Sequence, residues 1–383
     1  MIPFLGSAAM DFRNQLTKKL RGYTPGEQPR EPGWIKLNTN ENPFPPSRRV
    51  IEALQEISLN PDLVRRYPSP EGEPLRQELA HYYGLSVHEV LVTNGSDEAL
   101  SLLFRSLTER GDTVAIPELT YSLYPVLAEI SGATLEEHAM VATTKNPFCI
   151  DLEALRKTKA KMVVLPNPNA PTGEFLSTST LCEVIAENPN KLWIIDEAYN
   201  DFVSRANASL SFEVKNFSNL VVLRTFSKSH SLAGARIGYI LCSNPLIMEA
   251  LYAIKDSYNT SAISLHLALA SWKDRDYWQS SCQKVIAERE KLFCKLENLG
   301  FFVIPSEANF LFVQHEIPAA QLYGALRQRR ILVRWFNKEP IDNYLRISIG
   351  TPEQNLLLIE ALTDIINREN KTLPHDNTGG ISH

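Results

Sequence analysis

Lys228 sits in Thr225-Phe-Ser-Lys228-Ser-His230-Ser, among small hydroxyl side chains, with Arg236 eight positions further on. A primary amine condenses with an aldehyde, while hydroxyls and a guanidinium suit a phosphate carried on the same molecule. An isolated Ser-Lys-Ser is ordinarily a solvated surface charge. Here the apolar run Leu220-Val-Val-Leu223 comes first, so the lysine is expected on a loop past the carboxyl end of a buried strand, where open α/β sheets bind ligands.

Pyridoxal 5'-phosphate carries both the aldehyde and the phosphate. It draws electrons only while its ring nitrogen stays protonated, which calls for a carboxylate beside that nitrogen. Asp196 closes the apolar run Trp193-Ile-Ile195 and is the candidate, the alternative being a helix cap. Tyr199, three residues on, can reach the cofactor's phenolic oxygen, or else is a packed tyrosine. For the phosphate, Asn94-Gly95-Ser96-Asp97 precedes a helix beginning near Glu98, whose first amides can face an anion. Thr225, Ser227 and Arg236 complete that set. Tyr121, in Leu119-Thr-Tyr-Ser-Leu-Tyr124, can stack on a pyridine ring or fill the core.

The elements that must position these residues recur in order. Short apolar runs at 90–93, 113–116, 162–165, 192–195, 220–223 and 239–242 are mostly separated by helix-length segments, which predicts a mainly parallel sheet with helices on both faces. The candidate polar residues follow these runs directly, so their carboxyl ends share one crevice. Beyond about residue 251, charged helical patterns such as 284–299 mix with strand-like runs at 301–304, 310–313, 331–333 and 344–349, predicting a smaller α+β domain. The expected division is an extended N-terminal arm at 1–48, rich in proline and glycine, a large domain at 49–255, a small domain at 256–367, and a disordered tail at 368–383. No internal repeat is present.

The 383 residues are 44% hydrophobic and 22% charged, the balance of an ordinary globular protein, and long enough for more than one core. A net charge of -5 argues against nucleic acid or an anionic membrane as the main partner. Five scattered cysteines without Cys-x-x-Cys spacing suggest neither a metal site nor a disulfide framework, and fit a reducing cytoplasm. The apolar opening residues lack a basic leader, so a signal peptide is not expected, and no run approaches membrane-spanning length.

The ordered set Asn40-Glu-Asn42-Pro, Tyr67-Pro-Ser-Pro, Asn94-Gly-Ser-Asp-Glu98, Asn167-Pro-Asn169-Ala-Pro-Thr-Gly173, Asp196-Glu-Ala-Tyr199, Thr225-Phe-Ser-Lys228 and Leu232-Ala-Gly-Ala-Arg236-Ile-Gly-Tyr239 resembles the fold-type I PLP-dependent aminotransferases, and among them the histidinol-phosphate aminotransferase family. The likeness runs from about Tyr23 to Gly350. It implies that Lys228 is the lysine joined to the cofactor, Asp196 pairs the ring nitrogen, Tyr199 meets the phenolic oxygen and Arg236 binds the phosphate. It further implies that Arg334 and Arg346 grip the substrate phosphate, with Tyr23 and Asn42 from the arm beside them. Tyr67 would enter a neighbouring subunit's site, making a homodimer. The family's commonest form has asparagine where this chain has Ala170, so either Asn169 substitutes through a small loop shift or Tyr199 carries the contact to the phenolic oxygen alone; His230 is expected to be structural. The implied activity is transamination between L-histidinol phosphate and 2-oxoglutarate, in histidine biosynthesis. Three alternatives remain: an aminotransferase for aromatic amino acids, a lyase such as threonine-phosphate decarboxylase, and a PLP-binding regulator, for which the short arm leaves no DNA-binding head.

Overall fold

In the computed structural model, which describes residues 14–20 and 22–372, the strands are β1 (Ile35–Leu37), β2 (Val90–Thr93), β3 (Thr113–Pro117), β4 (Thr134–His138), β5 (Met162–Pro166), β6 (Leu192–Asp196), β7 (Leu220–Thr225), β8 (Gly238–Leu241), β9 (Phe302–Ile304), β10 (Phe310–Gln314), β11 (Ile331–Trp335) and β12 (Tyr344–Ser348). The opening residues weighed as a signal peptide lie outside the described residues.

Seven strands form one sheet in the order β2-β8-β7-β6-β5-β3-β4. The run β4-β3-β5-β6-β7 is parallel, and β8 lies antiparallel between β7 and β2. The central strands are apolar at nearly every position because both faces are covered. Val163, Leu165, Ile195 and Val222 enter one core, while Met162, Val164, Ile194 and Val221 enter the other. The chain steps outward from β3 to β4, then returns to place β5 on the other side of β3, so the winding reverses between β3 and β5. The crevice at such a reversal is where doubly wound sheets take ligands.

The second sheet runs β1-β11-β12-β10-β9. Leu311, Val313, Leu345 and Ile347 pack there with Leu296 from the helix Arg275–Asn298 and with Leu358 and Leu362 from the helix Pro352–Thr372. This architecture, a mostly parallel sheet with helices on both faces and a smaller α+β unit, is the expected fold class.

Several details differ from the expectations. β4 is an edge strand whose Thr-Leu-Glu-Glu-His sequence has no apolar run, since an edge needs only one covered side. The arm does not merely lie on a surface: its Ile35–Leu37 pairs in parallel with Ile331–Val333. The helix Ala262–Trp272 packs into the large-sheet core through Leu265, Ala268 and Trp272. It therefore does not join the small sheet, and the turn to small-sheet packing comes with the helix that starts at Arg275. That helix begins nine residues before the expected 284. Residues 368–372, expected to be disordered, are the last turn of the final helix, where Arg368 pairs with Asp364 at 3.0 Å; the rest of the expected tail lies outside the described residues.

Candidate active site

A cleft of about 310 Å³ opens at the carboxyl ends of the parallel strands and is roofed by the small sheet and the arm. Among the expected site residues, Tyr23, Ser96, Asp97, Tyr121, Asp196, Tyr199, Thr225, Ser227, Lys228, Arg236, Arg334 and Arg346 all line it.

Lys228 lies just past β7, half-buried, and donates from Nζ to the Thr39 carbonyl at 3.0 Å. Burial, helped by Arg346, pushes its ammonium down to about 8. Roughly a tenth of its amine is therefore unprotonated at pH 7, far more than for an ordinary lysine, which favours its use as a nucleophile or proton carrier. Asp196, at the end of β6, is 5% exposed. It accepts from the Tyr124 hydroxyl at 2.9 Å and the Ala198 amide at 3.1 Å, yet burial raises its carboxyl to about 6. Two hydrogen bonds do not offset the desolvation because no cation pairs with it among the described residues. The Tyr199 hydroxyl accepts from Asn40 Nδ2 at 3.1 Å, and the Lys228 ammonium lies 5.6 Å from the centre of its ring.

Opposite these lies a small concavity. The helix Gly95–Leu107 points its first turn into it, and the amides of a first turn have no intrahelical acceptor. Gly95 has φ +79°, and a Cβ there would stand 2.7 Å from Arg236 Nη2. At Gly238 a Cβ would meet the Ser96 nitrogen at 2.8 Å. Gly95 thus leaves room for the guanidinium, while Gly238 lets the start of β8 pack directly against the backbone of the helix's first turn. Arg236, itself at φ +52°, donates to Asp97 at 3.0 Å and approaches Ser227 Oγ at 3.5 Å. Asp97 also accepts from Tyr121 at 3.2 Å, so one carboxylate orients both the guanidinium and the ring.

On the arm and small-sheet side, among the described residues, Arg334 donates only to the Thr24 and Pro25 carbonyls, at 3.2 and 3.3 Å, and Arg346 only to the Asn38 carbonyl, at 3.0 Å. Arg346 Nε has no partner among the described residues. Tyr23 packs edge-on to Tyr121, with centroids 5.4 Å apart.

The residues lining the cleft could hold a pyridoxal phosphate, Lys228 meeting the aldehyde, Asp196 with no cation among the described residues meeting a ring N–H, Tyr199 the phenolic oxygen, and Ser96, Thr225, Ser227 and Arg236 the phosphate.

Four expected residues do not line the cleft: Gly95 is buried and acts there only through the room it leaves Arg236, and three others are turned elsewhere. Asn169 is fully buried and spends its amide on the Leu119 carbonyl and Thr172 Oγ1, both at 2.9 Å, while its Oδ1 accepts from Thr120. It holds the loop shut, and Ala170 lines the cleft in its place. Asn42 donates to the Ser229 carbonyl at 3.2 Å and so tethers the arm to the lysine loop from outside the cleft. Tyr67 is 80% exposed and stacks on Tyr258 at 4.4 Å, away from the cleft of its own chain. His230 is buried between Trp272 and Trp278 and bonded to Ser271, with burial pushing its imidazole down to about 3, in keeping with a structural part.

Two residues escaped the sequence reading. Tyr124, the partner of Asp196, stands three positions after Tyr121, a spacing that could have flagged it. Asn40 lies two positions before Asn42 in the same motif, and nothing in the sequence separates the two.

A family model described as aminotransferase class I and II matches residues 32–362. The histidinol-phosphate aminotransferase of Acinetobacter baumannii (strain AYE) is 41% identical over 363 residues, 94% of this chain and 98% of that protein. The histidinol-phosphate aminotransferase of Clostridium botulinum (strain Hall) is 41% identical over 361 residues, 93% of this chain and 99% of that one. In fold, the chain is similar to the solved histidinol-phosphate aminotransferase of Sinorhizobium meliloti in complex with pyridoxal-5'-phosphate, with a TM-score of 0.83, 24% identity, and coverage of 94% of this chain and 99% of that chain.

Proposed function

The chain belongs to the aminotransferase class I and II family, and on that premise we propose that it is a pyridoxal phosphate enzyme of histidine biosynthesis, exchanging the amino group of L-histidinol phosphate with 2-oxoglutarate. The carrying observation is that Arg334 and Arg346 line the cleft that contains Lys228 and, among the described residues, have no carboxylate within ion-pair distance. Two such guanidiniums suit a dianionic phosphate better than a single carboxylate. Tyr23 adds a third donor from the arm.

When bound, pyridoxal phosphate supplies an aldehyde for amines and a ring that withdraws electrons from the substrate's α carbon. The protein's part follows from its own groups. Asp196 holds a proton on the ring nitrogen, and the ion pair so formed removes the cost of burying that carboxylate alone. Tyr199 donates to the phenolic oxygen, while Ser96, Thr225, Ser227 and Arg236 hold the cofactor phosphate. Lys228 takes the proton from the α carbon and redelivers it, a task suited to an amine titrating near 8. Arg334 and Arg346 fix the far end of the substrate and so orient the bond to be broken.

Tyr67 and the exposed Ile51, Leu54, Leu59 and Val64 support a homodimer in which Tyr67 enters the partner's site. Five free cysteines suit the cytoplasm, and among the described residues no helix is long and apolar enough to cross a membrane.

Steady-state turnover of histidinol phosphate against phenylalanine, with 2-oxoglutarate as acceptor, tests the substrate. The phosphate ester is expected to be preferred, and Arg334→Ala to weaken that preference. A preference for phenylalanine untouched by Arg334→Ala rejects it, and carbon dioxide release from threonine phosphate without 2-oxoglutarate replaces it with a decarboxylase. Lys228→Ala is expected to lower turnover by about 10⁴-fold or more.

A further inference from the structure

Asn40 is held at four points. It lies just past β1 in the left-handed region, φ +55°, and is 1% exposed. Its carbonyl accepts from Asn309 Nδ2 at 2.9 Å, and its N–H donates to Ser348 Oγ at 2.8 Å. Its Oδ1 accepts from the same Ser348 hydroxyl at 3.0 Å, and its Nδ2 donates to the Tyr199 hydroxyl oxygen at 3.1 Å. Ser348 Oγ accepts the Asn40 N–H and gives its single proton to the side-chain carbonyl, and in this arrangement the amide's NH₂ faces Tyr199.

A tyrosine hydroxyl has one proton and can both donate and accept. The Asn40 amide has no acceptor to offer it, so the Tyr199 proton must point elsewhere. Among the described residues Asn40 is the only hydrogen-bond partner of that hydroxyl; Ala170, which packs beside the tyrosine, carries no polar side chain. We propose that Asn40 is a positioning residue: by occupying the acceptor side of the Tyr199 hydroxyl it turns that group's proton into the cleft, toward the phenolic oxygen of the cofactor. This rests on the pyridoxal phosphate reading above.

The consequence has a sign. A proton donated to the phenolic oxygen stabilises its negative charge and weakens its hold on the neighbouring proton, so the Lys228 nitrogen, once joined to the cofactor, loses its proton at lower pH. Loss of the donation raises that midpoint. The other charged and titratable groups around Tyr199 are Lys228, Asp196, Asp97, Arg346, Tyr121 and Tyr124, and all are kept in the test below.

The experiment is a pH titration of the visible absorption of the full-length protein loaded with pyridoxal phosphate. Asn40→Asp keeps the shape and the Ser348 acceptor but presents an acceptor to Tyr199, drawing the proton out of the cleft. Asn40→Gly removes the side chain at a backbone conformation that glycine adopts freely. The midpoint is expected to rise by about one pH unit in Asn40→Asp and by roughly half a unit in Asn40→Gly; in a Tyr199→Phe background Asn40→Gly is expected not to move it, and Asn40→Asp to move it clearly less than in the parent, through the charge of the new carboxylate. An equal rise with and without the Tyr199 hydroxyl overturns the proposal, because Asn40 then acts by charge or by general structure. So does an unmoved midpoint, and the isosteric aspartate keeps the test decisive if the glycine variant does not fold. Unsubstituted protein that retains no pyridoxal phosphate overturns the cofactor reading and this inference together, whereas a normal parent titration that neither variant shifts overturns this inference alone.

Discussion

Arg224 and Arg346 are enclosed by the same protein in contrary ways. Arg224, on β7, is 6% exposed and is answered by two acids: Glu197 at 2.9 Å, itself bonded to Ser209, Ser211 and the Leu210 amide, and Asp201, which also accepts from Ser229. Burial alone would weaken its charge, but Asp201 and Glu197 outweigh it and hold the guanidinium firmly protonated. Arg346, on β12 and half-buried, has among the described residues no acid within ion-pair distance and donates to a backbone carbonyl, and burial with nearby Arg334 pushes it below the usual arginine range. The first arrangement is complete within the chain; the second is complete only with an anion from outside. Asp196 repeats the second pattern with the opposite sign, a carboxylate lacking a cation. A buried charge left unanswered thus marks where a ligand's charge belongs.

The sharpest test of this contrast is Arg224→Met, which strands Glu197 and Asp201. It is expected to cost about 3–5 kcal/mol in urea unfolding, in line with other broken buried pairs. Arg346→Met should do the reverse: stability within about 1 kcal/mol of the parent, but kcat/KM for histidinol phosphate lowered by roughly 10²–10³-fold in steady-state assays. Equal losses of stability in the two variants break the distinction. For Asp196 the folded value of about 6 lies above the ordinary aspartate value of 3.8. The stability this confers is present below about pH 4 and lost as pH rises through 6. Cofactor-free protein is therefore expected to weaken by about 1–3 kcal/mol across that window, and Asp196→Asn to flatten the slope, as read from melting temperature against pH. The smallest effect belongs to Arg334, which carries less of the enclosure. Arg334→Ala is expected to raise KM for the phosphorylated donor about tenfold with kcat little changed, since it removes one exposed charge-assisted contact.

What could be read from the sequence follows the same divide. Lys228, Asp196, Ser96 and Tyr121 each stand directly past an apolar strand, so strand pattern and side-chain chemistry pointed to one crevice. The small-sheet side had no such pairing of signals. β1 is three residues between proline- and glycine-rich stretches, and only its partner β11, some three hundred positions away, makes it a strand. The two asparagines of Asn40-Glu-Asn42 look alike in sequence. The positive φ at Asn40 turns one toward Tyr199, and the other is spent on the lysine loop. Asn169 misled for a related reason: its residue type suited the role, but its amide was already claimed by Leu119 and Thr172.

The pairing of Ile35–Leu37 with Ile331–Val333 also sets a timetable. A chain made from its amino end has every strand of the seven-stranded sheet before residue 331 exists, so the segment bearing Thr39 and Asn40 emerges early and docks late. The strand that anchors this segment is thus one of the last to be made, and a product ending before residue 331 lacks the partner along which Ile35–Leu37 is aligned.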